Sequence, residues 1–391
     1  MGKLTGIEVS IACSEAVTLC DVDVVAAYPI TPQTHIVEHL SEQVAEGHLD
    51  AEYIKVESEH SAMSCCVGSS AAGARTFTST CSQGLALMHE IVMIASGLRL
   101  PIVMAVATRT LSAPLSIWGD QSDVMSERDS GWITIFAENG QEVFDLTVQS
   151  FRIAEDERVL FPVMLCLDGF HLSHVIEPIE IESKEDVQAW LPPYQAKYRL
   201  DPDNVLSMGA FAMPDYFSEI KKQTNEALMG TLPVIKEVFK DFGDKFGRYY
   251  EPVTKYQTED AETIIVIAGA FAGTARLAVD TMRAAGQKVG LVTIKVFRPF
   301  PFEEIAEALA GAKTAVVIDR ALSVAGPGGP MASEIRSALY HAPKKPAVVS
   351  MVGGLSGRDV FQEQFIELVE RAEAHVASGK IPHYEMFGVR E

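Results

Sequence analysis

Uninterrupted apolar runs alternate with helical patterns through the first half of this chain, and no other feature restricts the fold as much. The runs VDVVAAY, AEYIKV, RTFTSTC, PIVMAVA, WITIFA and VLFPVMLCLD are separated by stretches such as HIVEHLSEQVAEG, HSAMSCCVGSSAAGA and QEVFDLTVQSFRIAEDE. A strand that is apolar on both faces must be covered on both faces, which parallel sheets achieve through their crossover helices. The expected fold class is therefore α/β, with mostly parallel sheets and helices on both sides.

The alternation divides the chain. Residues 1–181 read as one α/β domain, and residues 182–260 as an irregular connection carrying one surface helix, YFSEIKKQTNEALMGTLPVIKEVFKDFGDKFGRYY. Residues 261–391 read as a smaller α/β domain with strands TIIVIAGA, KVGLVTIKVF, TAVVIDRA and AVVSMVGG, closed by the amphipathic FQEQFIELVERAEAHVASG.

A length of 391 residues, 48% of them hydrophobic, gives room for two sizeable cores. The net charge of −21 argues against nucleic acid and anionic membrane surfaces as partners. The stretch GLALMHEIVMIASGLRLPIVMAVA is broken by charges and Pro101, so it reads as a buried helix and strand rather than a membrane span. The opening MGKLTGIEVS lacks the apolar core of a secretory signal, and the expected location is the cytoplasm. None of the six cysteines forms C-x-x-C or sits at zinc or iron–sulfur spacing, so no metal is expected on this chain.

Four strand ends carry candidate chemistry. In YPITPQT, Pro29 and Pro32 stiffen a loop that bears Tyr28, Thr31 and Gln33. In ESEHSA, Glu57 and Glu59 stand at a helix start, where the dipole favours carboxylates. TSTCSQGL places Ser82, Gln83 and Gly84 where a backbone can approach a ligand closely. Finally, the long aperiodic loop from Arg109 through Trp118 and Asp120 exceeds ordinary connection length, and such loops are usually functional. Arg109 at a strand end suits capture of a small carboxylate, with a salt bridge to the loop's own acids as the other reading. AGAFAGTA lacks G-x-G-x-x-G, which argues against dinucleotide binding.

In this order, YPITPQT, ESEHSA, TSTCSQGL and TRTLSAPLSIWGDQSD resemble the alpha subunits of 2-oxoacid:ferredoxin oxidoreductases, and IKVFRPFP and GGLSGRD extend the resemblance across nearly the whole chain. SAPLSIWGDQSD is closest to the loop of the pyruvate-specific enzymes. The resemblance implies a thiamine-diphosphate pyrimidine-type domain followed by a transketolase-C-terminal-like domain. It implies oxidative decarboxylation of pyruvate to acetyl-CoA, with electrons passed to ferredoxin. Glu59 falls on the glutamate that contacts N1′ of the aminopyrimidine, with Tyr28, Pro29, Ile30, Ser82 and Gln83 also around the cofactor. Thr31 and Arg109, with Asp120, fall on the substrate, and Thr31, Arg109 and Glu59 are the implied catalytic residues. This chain has no GDG motif, so the diphosphate and magnesium are assigned to a beta subunit that also carries an iron–sulfur cluster, with gamma and ferredoxin-like delta subunits completing the assembly. Other 2-oxoacids (2-oxoisovalerate, 2-oxoglutarate or an oxalate-like substrate) and a nucleotide-binding electron-transfer protein are the alternatives.

Overall fold

The computed structural model describes residues 2–390. The first unit opens with β1 (Lys3–Glu8) and α1 (Val9–Leu19), followed by β2 (Val24–Ala27), α2 (Thr34–Ala45), β3 (Glu52–Lys55) and α3 (Glu59–Ala71). It continues with β4 (Thr76–Thr80), α4 (Ser82–Gly97), β5 (Ile102–Thr108), the short α5 (Ser122–Ser126), β6 (Ile133–Phe136), α6 (Gly140–Glu155) and β7 (Val163–Asp168). β8 (Ile176–Ile181) then pairs antiparallel with β1, from Lys3 opposite Ile181 to Glu8 opposite Ile176.

Next come α7 (Lys184–Trp190), α8 (Pro214–Met229) and α9 (Leu232–Phe246). The second unit comprises β9 (Val253–Tyr256), β10 (Thr263–Ile267), α10 (Ala272–Ala284), β11 (Val289–Ile294), β12 (Val296–Arg298), α11 (Phe302–Leu309), β13 (Thr314–Asp319), α12 (Pro330–Leu339), β14 (Ala347–Val352), α13 (Gln362–Ser378) and β15 (Glu385–Met386).

The first sheet runs β12-β6-β7-β5-β4-β2-β3, parallel except for β12. Its centre is fully buried, as the apolar runs require: every residue of β4 and β5 is covered. Helix α1 packs on α6 on one side of the sheet and α3 on α4 on the other. Because β3, β2, β4 and β5 are parallel neighbours, the residues after their carboxyl ends share one edge, the usual ligand edge of an open α/β sheet. The second sheet runs β15-β14-β13-β10-β11-β9.

Three sequence expectations are revised. The connection from 182 to 260 holds three helices rather than one: the chain turns at Gly230, separating α8 from α9. Helix α9 buries Ile235, Phe239 and Phe242, whereas α8 buries nothing. The run KVGLVTIKVF is two strands, because β11 stays in the second sheet while β12 crosses to pair with β6 of the first, Val296 opposite Ile135. The β1–β8 ribbon with α1 was not anticipated, since β1 and β8 are partly exposed and lack a continuous apolar run.

The units are also joined through buried charge. Arg320, after β13, pairs with Asp168 at the end of β7, and both are nearly inaccessible. Arg320 Nη2 also donates to the Gly119 carbonyl at 3.2 Å, and its guanidinium lies 4.0 Å over the Phe271 ring. No helix among the described residues is long and apolar enough to cross a membrane.

Candidate active site

Gln33 answers why a polar residue follows the second proline of YPITPQT. It is fully buried, and its Nε2 donates to the carbonyl and hydroxyl of Ser79 at 2.8 and 2.9 Å, while its Oε1 accepts from the Ile30 N–H at 3.3 Å. The loop after β2 is thereby stapled to the neighbouring β4. Tyr28, Pro29 and Thr31 are exposed on its outer side, and Ile30 is half-buried.

Arg109, at the end of β5, holds the same loop from the other side. Its Nη1 donates to the Thr31 carbonyl at 2.8 Å and its Nε to the Ser116 carbonyl at 2.9 Å. No carboxylate pairs with this guanidinium among the described residues, so the salt-bridge reading falls away. Nη2 has no partner among the described residues and is not sealed from solvent. Behind the loop, the Cys81 thiol donates to the Thr31 carbonyl at 3.2 Å, and burial pushes its proton affinity far above the ordinary thiol range.

Beneath these strand ends sits Asp123, which sequence reasoning missed. Its Oδ2 accepts from the N–H of Ser82 at 2.8 Å and of Arg109 at 2.9 Å, joining the ends of β4 and β5. Burial raises its carboxyl to about 7, with the backbone donors from Arg109, Ser82 and Val124 opposing the rise. In the sequence it is one acid among several in a charged loop, with no spacing to mark it.

Ser82 and Gln83 lie at the start of α4. Ser82 adopts φ +47, the left-handed region that a residue with a Cβ rarely occupies, and strain of that kind gathers at functional sites. Its hydroxyl donates to the Thr110 carbonyl at 2.6 Å, so this side chain is engaged within the protein. Gln83 is exposed beside it.

The two acids of ESEHSA part company. Glu57 is solvated and accepts from the Ser61 hydroxyl at 2.7 Å, which holds its carboxyl below the usual range. Glu59, the first residue of α3, is 7% exposed and its carboxylate has no hydrogen-bond partner among the described residues. It packs against Gly84: a Cβ there would lie 2.7 Å from Glu59 Oε1 and 2.5 Å from Thr80 Oγ1. Thr80 Oγ1 is itself buried without a partner. Buried polar groups are nearly always paired, so this cluster has the character of a seat for a hydrogen-bonding ligand.

Asp120, expected on the substrate, has its carboxylate engaged within the chain instead. Oδ1 accepts from the N–H and hydroxyl of Ser122 at 2.9 and 2.6 Å, and Oδ2 from the Ser356 N–H at 3.1 Å. It fastens the long loop to the Leu355–Gly357 turn of the second unit, where Gly357 N–H also donates to the Gly119 carbonyl at 2.6 Å. Trp118 stacks on Phe170 at 4.6 Å, which orders the loop further.

A mostly parallel α/β sheet with a buried glutamate on its ligand edge, joined to a second α/β unit, agrees with the thiamine-diphosphate class of α/β proteins, to which the family model matching residues 15–240 assigns the chain. Residues 15–240 match the family model described as pyruvate flavodoxin/ferredoxin oxidoreductase, thiamine diphosphate-binding, and residues 261–365 match pyruvate:ferredoxin oxidoreductase core domain II. The chain is 48% identical over 362 residues to pyruvate synthase subunit PorA of Methanothermobacter thermautotrophicus, covering 93% of each. It is 47% identical over 371 residues to the PorA subunit of Pyrococcus furiosus, covering 95% of this chain and 93% of the relative. It is also 42% identical over 372 residues to ketoisovalerate oxidoreductase subunit VorA of Pyrococcus abyssi, covering 95% and 93%. The chain belongs to the pyruvate flavodoxin/ferredoxin oxidoreductase family.

Two solved structures share the fold. A 2-oxoglutarate:ferredoxin oxidoreductase from Magnetococcus marinus superposes with a TM-score of 0.70 at 19% identity, covering 95% of this chain and 65% of that one, just under two thirds of its length. A split-gene transketolase gives 0.57 at 14% identity, covering 95% and 99%.

Proposed function

We propose that this chain is the alpha subunit of a pyruvate:ferredoxin oxidoreductase, which converts pyruvate and coenzyme A to acetyl-CoA and carbon dioxide and passes the electrons to ferredoxin. The observation that carries this reading is the unpartnered, buried carboxylate of Glu59 on the edge that also holds Thr31 and Arg109. A bound thiamine diphosphate supplies the carbanion chemistry at the 2-oxo carbon, and the protein orients and tunes it.

The residues present fit that cofactor's aminopyrimidine. Glu59 is the acceptor for N1′, and its burial strengthens the contact because little water competes for it. Tyr28, Pro29 and Ile30 form the wall beside it, and Gln83 lies at the rim. Ser82 contributes through its backbone position rather than its hydroxyl, which Thr110 already holds.

On the substrate side, Arg109 directs its unpaired Nη2 toward a carboxylate, and the exposed Thr31 hydroxyl donates to the 2-oxo oxygen. Asp120 is a positioning residue that sets the loop bearing Ser116 and hence Arg109. The relatives named pyruvate synthase support pyruvate as substrate; the relative named ketoisovalerate oxidoreductase is the observation that favours a second, branched 2-oxoacid. One methylene in an apolar pocket is worth only about 1–3 kcal/mol, so overlap between the two is expected.

The other machinery belongs to partner chains. No group of three or more metal-ligating side chains lies among the described residues, and the chain has no GDG motif. The family resemblance assigns diphosphate and magnesium to a beta subunit with an iron–sulfur cluster, and onward electron transfer to gamma and ferredoxin-like delta subunits.

Viologen reduction by the complex that co-purifies with this chain tests the reading, under anaerobiosis with coenzyme A and a panel of 2-oxoacids. Reduction with pyruvate well above the others is expected. Reduction by another 2-oxoacid alone would correct the substrate. No reduction by any of them, in a complex shown to hold thiamine diphosphate and iron–sulfur clusters, would overturn the function.

A further inference from the structure

The hydroxyl of Thr80 is an orphan in an unusual place. It is fully buried at the carboxyl end of β4 and has no hydrogen-bond partner among the described residues, whereas the nearby buried hydroxyls of Thr78 and Ser82 each donate to a carbonyl. Thr78, two residues earlier on the same strand, donates to the Ala26 carbonyl at 2.7 Å, as a buried threonine ordinarily does. Leaving such a group unpaired costs free energy, so its retention needs a partner that is not in the protein alone or that is not yet engaged.

The geometry names that partner. A single point in space, the Cβ position that Gly84 leaves vacant, lies 2.5 Å from Thr80 Oγ1 and 2.7 Å from Glu59 Oε1. The two oxygens therefore converge on the same gap without bonding each other, and Glu59, 7% exposed, makes no side-chain hydrogen bond among the described residues. A carboxylate accepts and cannot donate, while a hydroxyl can donate to it. Gly84 keeps the gap open: any side chain at that position would fill it.

We propose that Thr80 is a positioning residue for Glu59: its hydroxyl donates to the Glu59 carboxylate when the aminopyrimidine engages the other oxygen, and Gly84 is the space through which the two meet. This rests on the reading of Glu59 as the cofactor's acceptor. The hydroxyl fixes the rotation of a carboxylate that otherwise has no anchor, so that one oxygen faces the ring. A charge-assisted bond of this kind in a dry site is stronger than a neutral one.

The test is a double-mutant cycle on thiamine diphosphate affinity, measured by calorimetry on the assembled complex stripped of cofactor, with magnesium present. Thr80→Val keeps the shape and removes the donor; it is expected to weaken binding roughly tenfold, the scale of one hydrogen bond to a charged group. In a Glu59→Gln background the same change is expected to matter less than about twofold, because the partner it orients is gone. Thr80→Ser, which keeps the hydroxyl, is expected to restore affinity. Gly84→Ala, which closes the gap, is expected to weaken binding at least as much as Thr80→Val. Should the valine variant not assemble, Thr80→Ala takes its place in the cycle.

Wild-type affinity in Thr80→Val overturns the proposal, and so does an equal loss with and without Glu59. If instead Glu59→Gln alone leaves affinity unchanged, the reading of Glu59 fails first, which is a separate and recognisable outcome.

Discussion

Arg109 holds Thr31 by its main chain and not by its side chain: Nη1 donates to the Thr31 carbonyl at 2.8 Å. The threonine hydroxyl is left free on the exposed side of the loop, and the guanidinium keeps one nitrogen unpaired beside it. One contact thus fixes the distance between the two groups proposed to meet the substrate. Arg109→Leu removes the clamp and the cation together, so kcat/KM for pyruvate is expected to fall by at least about tenfold, or about 1.4 kcal/mol of transition-state binding. Arg109→Lys keeps charge but not the fork, and should recover only part. Wild-type kinetics in both variants would make Arg109 a structural residue only.

Gln33 is the second clamp on that loop. Gln33→Leu leaves the Ile30 N–H without its acceptor and the Ser79 carbonyl and hydroxyl without their amide donor. The expected cost is about 1–3 kcal/mol, read as a lower midpoint in urea unfolding of the complex. An unchanged midpoint would mean that Arg109 alone holds the loop.

The ion pair between Arg320 and Asp168 ties the two units together in a dry interface. Arg320→Met leaves Asp168 buried without its countercharge, and a loss of about 3–5 kcal/mol is expected. Adding Asp168→Asn should lose less than the two single changes together, because the stranded charge disappears. Strict additivity by thermal melting would contradict a direct pair.

His39 gives a pH-dependent contribution whose sign follows from its partner. Its Nε2 lies 2.7 Å from Glu15 Oε1, and that hydrogen bond raises the imidazole above its ordinary value. Between the unfolded and folded values the native state holds the extra proton, so the stabilisation is full below pH about 6.5 and is lost as pH rises through the raised value. The stability difference between the wild type and His39→Gln is therefore expected to be larger at pH 6 than at pH 9. Equal differences at the two pH values would show that the pair contributes no proton linkage.

Fold class and the four strand ends were legible in the sequence because buried parallel strands write continuous apolar runs, and because prolines and glycines punctuate their carboxyl ends. Gln33 stood out as a polar residue between turns, but its burial is a tertiary fact. Asp123 and Thr80 could not be separated from neighbouring acids and threonines, since their importance comes from which strand lies alongside. Asp120 shows the same limit: that Ser122 and Ser356 engage this loop acid is visible only in the folded chain. The break in KVGLVTIKVF was hidden because both halves are equally apolar and only pairing partners distinguish them.

Glu59→Gln in the assembled complex tests the central claim most directly, with pyruvate-dependent viologen reduction as the readout and subunit content verified in parallel. The account gives a fall of about a hundredfold or more, the range for removing a positioned proton-transfer group. Near-normal turnover in a correctly assembled Glu59→Gln complex would remove Glu59 from the mechanism and, with it, the assignment of this strand edge as the active site.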